Sequence, residues 1–135
     1  MRIFLYTFLI IPFFIFSQNT ISVQIHNVPS TEGNVNVAVY DSDDTFLTFE
    51  GVFKTGTAQA KEGVVKLHIE NIPPGEYAVA VFHDQNGNNI LDTNWLGIPK
   101  EKVAFSKAKM KTFGPPKYKE CCFKVNSDTE IDIVF

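Results

Sequence analysis

After Arg2 the chain contains no further arginine, and its only two cysteines, Cys121 and Cys122, are adjacent. Without a guanidinium there is no bidentate clamp for a planar anionic substrate. Neighbouring cysteines in a strand point to opposite faces, and a bridge between them demands a distorted peptide. Two reduced, largely apolar side chains are therefore expected, with pairing between molecules left open through whichever thiol is exposed. No glycine-rich phosphate loop is present, and neither Ser42 nor Ser106 sits in a nucleophile elbow. No segment keeps apolar residues at i, i+3 and i+4 for three turns, which argues against the crossover helices of an α/β fold. Repeats and low-complexity tracts are absent as well. What remains is a 135-residue chain, 20% charged and with 13 Phe, of a size and composition suited to one folded domain.

Its long apolar run lies at the start. Arg2 precedes Ile3 to Phe16, and Ser17-Gln18-Asn19-Thr20 follows. One basic residue, an apolar stretch and a small residue at Ser17 make the three regions of an export signal, with cleavage expected between Ser17 and Gln18. A spanning helix needs about 20 apolar residues, and no basic stop-transfer cluster follows this shorter run. The sequence thus predicts a signal peptide over 1–17 and a domain over 18–135, with no stable membrane anchor after cleavage. The expected location is periplasmic, outer-surface or extracellular, with an envelope or extracellular partner whose identity the sequence leaves open.

The charge is unevenly placed. Three Lys face ten acidic residues between 18 and 99, whereas eight Lys accompany two acids between 100 and 124. An acidic chain without a concentrated basic face argues against nucleic acid as a partner. The Lys-rich segment over 100–119 (Lys100, Lys102, Lys107, Lys109, Lys111, Lys117 and Lys119) reads either as a solvated connection or as a contact for an anionic glycan or lipid surface.

Beyond residue 18 a period of two dominates. Ile21, Val23 and Ile25 alternate with polar residues, as do Val35, Val37 and Val39, and Val65, Leu67 and Ile69. Pro73-Pro74-Gly75 turns the chain into Tyr77–Phe82, apolar on both faces as a central strand would be. Further strands are expected over 46–53, 102–105, 118–125 and 131–135. About seven short strands separated by Pro and Gly turns predict an all-β, single antiparallel sandwich, transthyretin-like or Ig-like. The segment 94–117 is long for a connection and is expected to wrap over one end of it.

The chemically informative stretch is His83-Asp84-Gln85-Asn86-Gly87-Asn88-Asn89-Ile90-Leu91-Asp92. Ca²⁺ takes six to eight oxygens, and loop positions 1, 3, 5, 7 and 9 can converge on one ion. Asp84, Asn86, Asn88, the Ile90 carbonyl and Asp92 hold those positions. An EF-hand type of loop also wants Gly at position 6 and Glu at position 12, where this chain has Asn89 and Trp95. Asn tolerates the left-handed backbone that position 6 needs. The lost carboxylate lowers the expected affinity unless Asp41, Asp43 or Asp44 completes the shell. Asn-Gly-Asn-Asn is also ordinary hairpin-turn composition, but turn chemistry does not call for Asp at both the first and ninth positions. The three histidines, His26, His68 and His83, share no strand and have no short ligand spacing, so they read as solvent-facing or capping residues.

The order Ile72-Pro73-Pro74-Gly75-Glu76-Tyr77, then His83-Asp84 with Asn86 and Asn88, Leu91-Asp92-Thr93-Asn94, Leu96-Gly97-Ile98-Pro99, Phe105-Ser106 and Phe113-Gly114-Pro115-Pro116 resembles the exported bacterial proteins of the DUF2141 family. The resemblance implies export and a single β domain, and it supplies no reaction. The Pro-Pro-Gly-x-Tyr turn is also similar to that of transthyretin-like and carboxypeptidase regulatory-like sandwiches. The reading is a non-enzymatic binding or structural module with a Ca²⁺-type loop, or else a surface-adhesive protein acting through 100–119. A transthyretin-like hydrolase opening a purine-derived ring is the enzyme alternative, disfavoured because it needs convergent His and Arg.

Overall fold

The computed structural model describes residues 17–135, so the apolar segment read as an export signal lies outside the described residues except for Ser17. The period-two segments form strands: β1 (Asn19–Val28), β2 (Asn34–Tyr40), β3 (Lys54–Gln59), β4 (Gly63–Ile72), β5 (Gly75–Asp84), β6 (Val103–Phe105), β7 (Phe123–Val125) and β8 (Thr129–Val134). One helical turn, α1 (Tyr118–Cys121), precedes β7. The strands build a β-sandwich. One sheet has the order β4-β1-β8, and the other runs β3-β2-β5-β6, with β7 on the first three residues of β5.

Alternation explains which faces meet. Ile21, Val23 and Ile25 of β1, Val65, Leu67 and Ile69 of β4, and Ile133 of β8 face Val35, Val37 and Val39 of β2 and Tyr77, Val79 and Val81 of β5, all of them buried. Gly56 lets the sheets approach closely, since a Cβ there would stand 2.7 Å from Leu67 Cδ1. The turn into β5 is tied by its own tyrosine, whose hydroxyl donates to the Pro73 carbonyl at 2.7 Å.

Besides β3 over Lys54–Gln59, which the sequence reading did not expect, four details differ from it. The first and last strands, β1 and β8, pair in parallel, with Val23 opposite Ile131, whereas the remaining pairs among the described strands are antiparallel. Residues 46–53 are turns rather than a strand; their apolar side chains Phe46, Leu47 and Val52 pack on a second cluster outside the β3-β2-β5-β6 sheet. Residues 118–121 are helical because the Glu120 carboxylate accepts the Lys117 N–H at 2.7 Å, which starts a turn after Pro115-Pro116. The connection 94–117 does not simply wrap an end: β6 within it joins the sheet as an edge strand beside β5, and residues 96–99 and 110–115 border a hollow over that sheet's outer face.

That second cluster joins Tyr40, Ala78, Phe105, Tyr118 and Cys121. Ser106, buried beneath it, accepts the Val79 N–H at 2.9 Å and donates to the Cys121 carbonyl at 2.6 Å, so its role is to join β5, β6 and α1. Both cysteines are free thiols. Burial pushes the Cys121 thiol up to about 11, and desolvation followed by a hydrogen bond with Glu76 raises that of Cys122. They sit at the helix end and its cap rather than in a strand.

Candidate functional site

β5 ends at Asp84, and the loop after it is organised by that side chain. Asp84 is fully buried. Its Oδ1 accepts the Asn88 N–H at 3.2 Å; Oδ2 accepts the Asn89 N–H at 2.7 Å and the Asn36 amide at 3.2 Å. Folding the loop back onto one carboxylate demands a backbone reversal, which falls at Gly87 (φ 69°) and Asn89 (φ 60°), the left-handed position expected for Asn89. Gly33 is what allows β2 to lie so close: at φ 67°, a Cβ on it would meet the Asp84 carbonyl oxygen at 1.9 Å.

Above this brace, the remaining polar side chains gather round Asp92. Asn86 Nδ2 donates to Asp92 Oδ2 at 2.6 Å, and Asn88 Nδ2 donates to Asp92 Oδ1 at 3.2 Å. The Asn86 and Asn88 carbonyl oxygens accept the N–H groups two residues on, those of Asn88 and Ile90. Glu101 joins them, its Oε1 accepting the Gln85 N–H at 3.2 Å and its Oε2 the Asp92 N–H at 3.1 Å. Nine residues separate Glu101 from Asp92, and a small ribbon brings it back. Lys100 N–H donates to the Asp92 carbonyl at 2.8 Å, Thr93 bridges Pro99, and the Asn94 side chain accepts the Leu96 and Ile98 N–H groups at 2.9 and 3.0 Å. Gly97 (φ 77°) closes that turn.

Asn86, Asp92 and Glu101 line a cleft of about 410 Å³ together with Gln85, Thr93 and Lys100. Of the five residues read from the sequence, Asn86 and Asp92 thus face this cleft, Asn88 reaches it through Asp92, and Asp84 stands under the loop as its brace. Ile90 has an exposed side chain and anchors through its N–H. Sequence spacing missed Glu101 and offered Asp41, Asp43 and Asp44 instead. Those three follow Tyr40, which pairs with Ala78, whereas Asp84 pairs with Asn34 at the other end of the same strand pair, about 20 Å away along β2. They cannot complete this site. Among the described residues no group of three or more His, Cys, Asp or Glu is arranged around a single point, so a cation here would draw on amide oxygens as well as carboxylates.

The histidines do not converge. His26 Nε2 pairs with Asp132 at 2.7 Å and His68 Nδ1 lies 2.8 Å from Ser22 Oγ, both on the outer face of the β4-β1-β8 sheet. His83 points inward on the opposite side of β5 from Asp84 and is buried, with Nε2 2.8 Å from the Glu32 carbonyl and Nδ1 without a partner. In the Lys-rich segment, Lys107 reaches the Cys122 carbonyl at 3.1 Å and Lys111 pairs with Glu120 at 2.6 Å.

The family described as uncharacterized protein conserved in bacteria, DUF2141, matches residues 23–132, from within β1 to within β8, the cleft included. The chain belongs to this family. The DUF2141 match takes in every element that builds the site, but carries no statement of activity. No match was found among curated proteins or among solved structures. Among the described residues no helix is long and apolar enough to cross a membrane.

Proposed function

We propose that this DUF2141 protein is an exported, non-enzymatic β-sandwich module of the cell envelope or its exterior, steadied by Ca²⁺ at the end of β5. The observation that carries the reading is the gathering of Asn86, Asn88, Asp92 and Glu101 beside the buried Asp84. Two carboxylates, those of Asp92 and Glu101, and the amide oxygens of Asn86 and Asn88 are the ligands at hand for a hard cation, with water supplying the rest of the shell and Asp84 holding the loop from beneath. Turning the Asn86 and Asn88 amide oxygens toward an ion would release the Asn88 and Ile90 N–H groups they now accept, so ion binding would rearrange the loop turn. Lys100 beside the cleft opposes the cation and keeps affinity modest. A transthyretin-like or carboxypeptidase regulatory-like sandwich is the arrangement to which we liken the fold, on the Pro73-Pro74-Gly75-Glu76-Tyr77 turn. Such a likeness confers no activity by itself. Dispersed histidines and the absence of arginine after Arg2 support the non-enzymatic reading.

The test is thermal unfolding of the protein expressed from the 135-residue sequence and purified after processing, with Ca²⁺ and with chelator. Extracellular calcium modules bind with Kd of about 0.1–1 mM, so 10 mM Ca²⁺ stabilises by about 1.4–2.7 kcal/mol. For a domain of this size that raises the midpoint by roughly 5–10 °C. An equal rise in Asp92→Ala would reject the loop as the site. Mass spectrometry of the same sample checks cleavage between Ser17 and Gln18.

A further inference from the structure

The outward face of the β3-β2-β5-β6 sheet carries a hollow that the fold leaves open. Register lays its side chains in rows across the strands. One row is Thr55, Ala38, Ala80 and Phe105; the next is Thr57, Asn36, Phe82 and Val103. At the centre of the covered sheet, where a packed layer would call for large side chains, stands the directly paired Ala38–Ala80. Tyr40, packed edge-on against Phe46 at 5.2 Å between ring centroids, closes one end of the trough. Three loops wall the hollow, and each carries large, exposed apolar residues along its border: Phe49 on the first, Ile90, Leu96 and Ile98 on the second, Phe113 on the third. The space enclosed is about 990 Å³. That lies at the upper end of small-molecule sites, which run to about 1,000 Å³.

Chemistry narrows the occupant. Among the described residues, Lys111 is the one charged side chain lining the hollow, and Glu120 neutralises it. The polar pair on the floor is internally satisfied, with Thr57 donating to the Asn36 carbonyl oxygen at 2.8 Å and the Asn36 amide donating to Asp84. An ionic ligand would find no unspent countercharge there, whereas apolar surface is plentiful. A flat partner, whether membrane, protein or second copy, would meet only the loop tips and leave the Ala38–Ala80 floor uncovered.

We propose that this hollow is a binding site for an uncharged, hydrocarbon-rich small molecule of lipid-like character, seated on Ala38 and Ala80. The proposal goes beyond the calcium reading and does not depend on it.

The probe is N-phenyl-1-naphthylamine, an uncharged aromatic fluorophore, titrated in the presence of chelator so that no cation takes part. Saturable one-to-one fluorescence enhancement is expected, displaced by a long-chain alcohol. Ala80→Phe, which fills the floor, is expected to weaken binding at least about tenfold while the unfolding midpoint holds. If Ala80→Phe does not fold, the paired rim substitutions Phe49→Ser and Phe113→Ser, at fully exposed positions, carry the same test. Absence of saturable binding would overturn the proposal, as would equal affinity in parent and variants. Two further results would replace it: a dimer in light scattering that Ala80→Phe dissociates, or capture by phosphatidylcholine vesicles that Ala80→Phe leaves intact.

Discussion

Replacing Asp84 by Ala removes a carboxylate that no solvent reaches and strands three donors at once. The Asn88 and Asn89 N–H groups lie in an exposed loop, where water replaces the lost partner, and each costs about 0.5–1.5 kcal/mol. Asn36 is buried, and leaving its amide unpaired costs about 1–3 kcal/mol. With chelator present throughout, Asp84→Ala is therefore expected to lose about 2–6 kcal/mol, seen as a fall of about 1 M or more in the urea midpoint by far-ultraviolet circular dichroism. Asp92→Ala severs bonds only from the side chains of exposed Asn86 and Asn88, and its expected cost in chelator is under about 1 kcal/mol. The contrast separates brace from rim. Should both variants fall within about 0.5 kcal/mol of the parent, the assignment of Asp84 as the internal support of the loop is refuted.

Gly33→Ala is expected to cost at least about 2 kcal/mol, since Ala resists φ 67° and its Cβ meets the Asp84 carbonyl; an unchanged urea midpoint would contradict this. The Glu120 carboxyl is held below the usual carboxylate range, first by the Lys111 hydrogen bond and then by the Lys117 N–H. A lowered folded value means stability present above the ordinary carboxylate pKa and lost as pH falls through the lowered one. Lys111→Met is thus expected to flatten the acid limb of the pH–stability curve, and an identical limb would exclude the pair. With both thiols raised, native protein near neutral pH is expected to react with a thiol reagent slowly at half-exposed Cys122 and not at Cys121 until unfolding. A count of no thiols after denaturation would instead reveal a disulfide.

Where alternation between apolar and polar residues was clean, as in β1, β2 and β4, strand and buried face were both legible in the sequence. β3 escaped because its inward positions are Lys54, Gly56 and Ala58; space for Leu67 and Ile69 from the opposite sheet, rather than a large side chain of its own, is what the strand contributes. The segment 46–53 misled for the converse reason, since Phe46, Leu47 and Val52 serve a cluster outside the sheet and turns present them as well as a strand would. Parallel pairing of β1 with β8 leaves no local trace, as alternation is the same in either direction. At the site, spacing revealed the loop from Asp84 to Asp92 and the left-handed Asn89. Glu101 lay beyond its reach because the 92–100 ribbon, closed by Asn94 and Gly97, returns the chain only in three dimensions. The Ala38–Ala80 floor was equally hidden, for two alanines in separate strands acquire meaning only when register pairs them.

The most direct test of the calcium reading uses Trp95, the only tryptophan, three residues beyond Asp92 and therefore within about 11 Å along the chain. Terbium stands in for Ca²⁺, and its luminescence is excited through the indole. The account expects a saturable one-to-one signal that excess Ca²⁺ displaces and that Asp92→Ala and Glu101→Gln abolish. A signal that fails to saturate, resists Ca²⁺ or persists undiminished in both variants would contradict it.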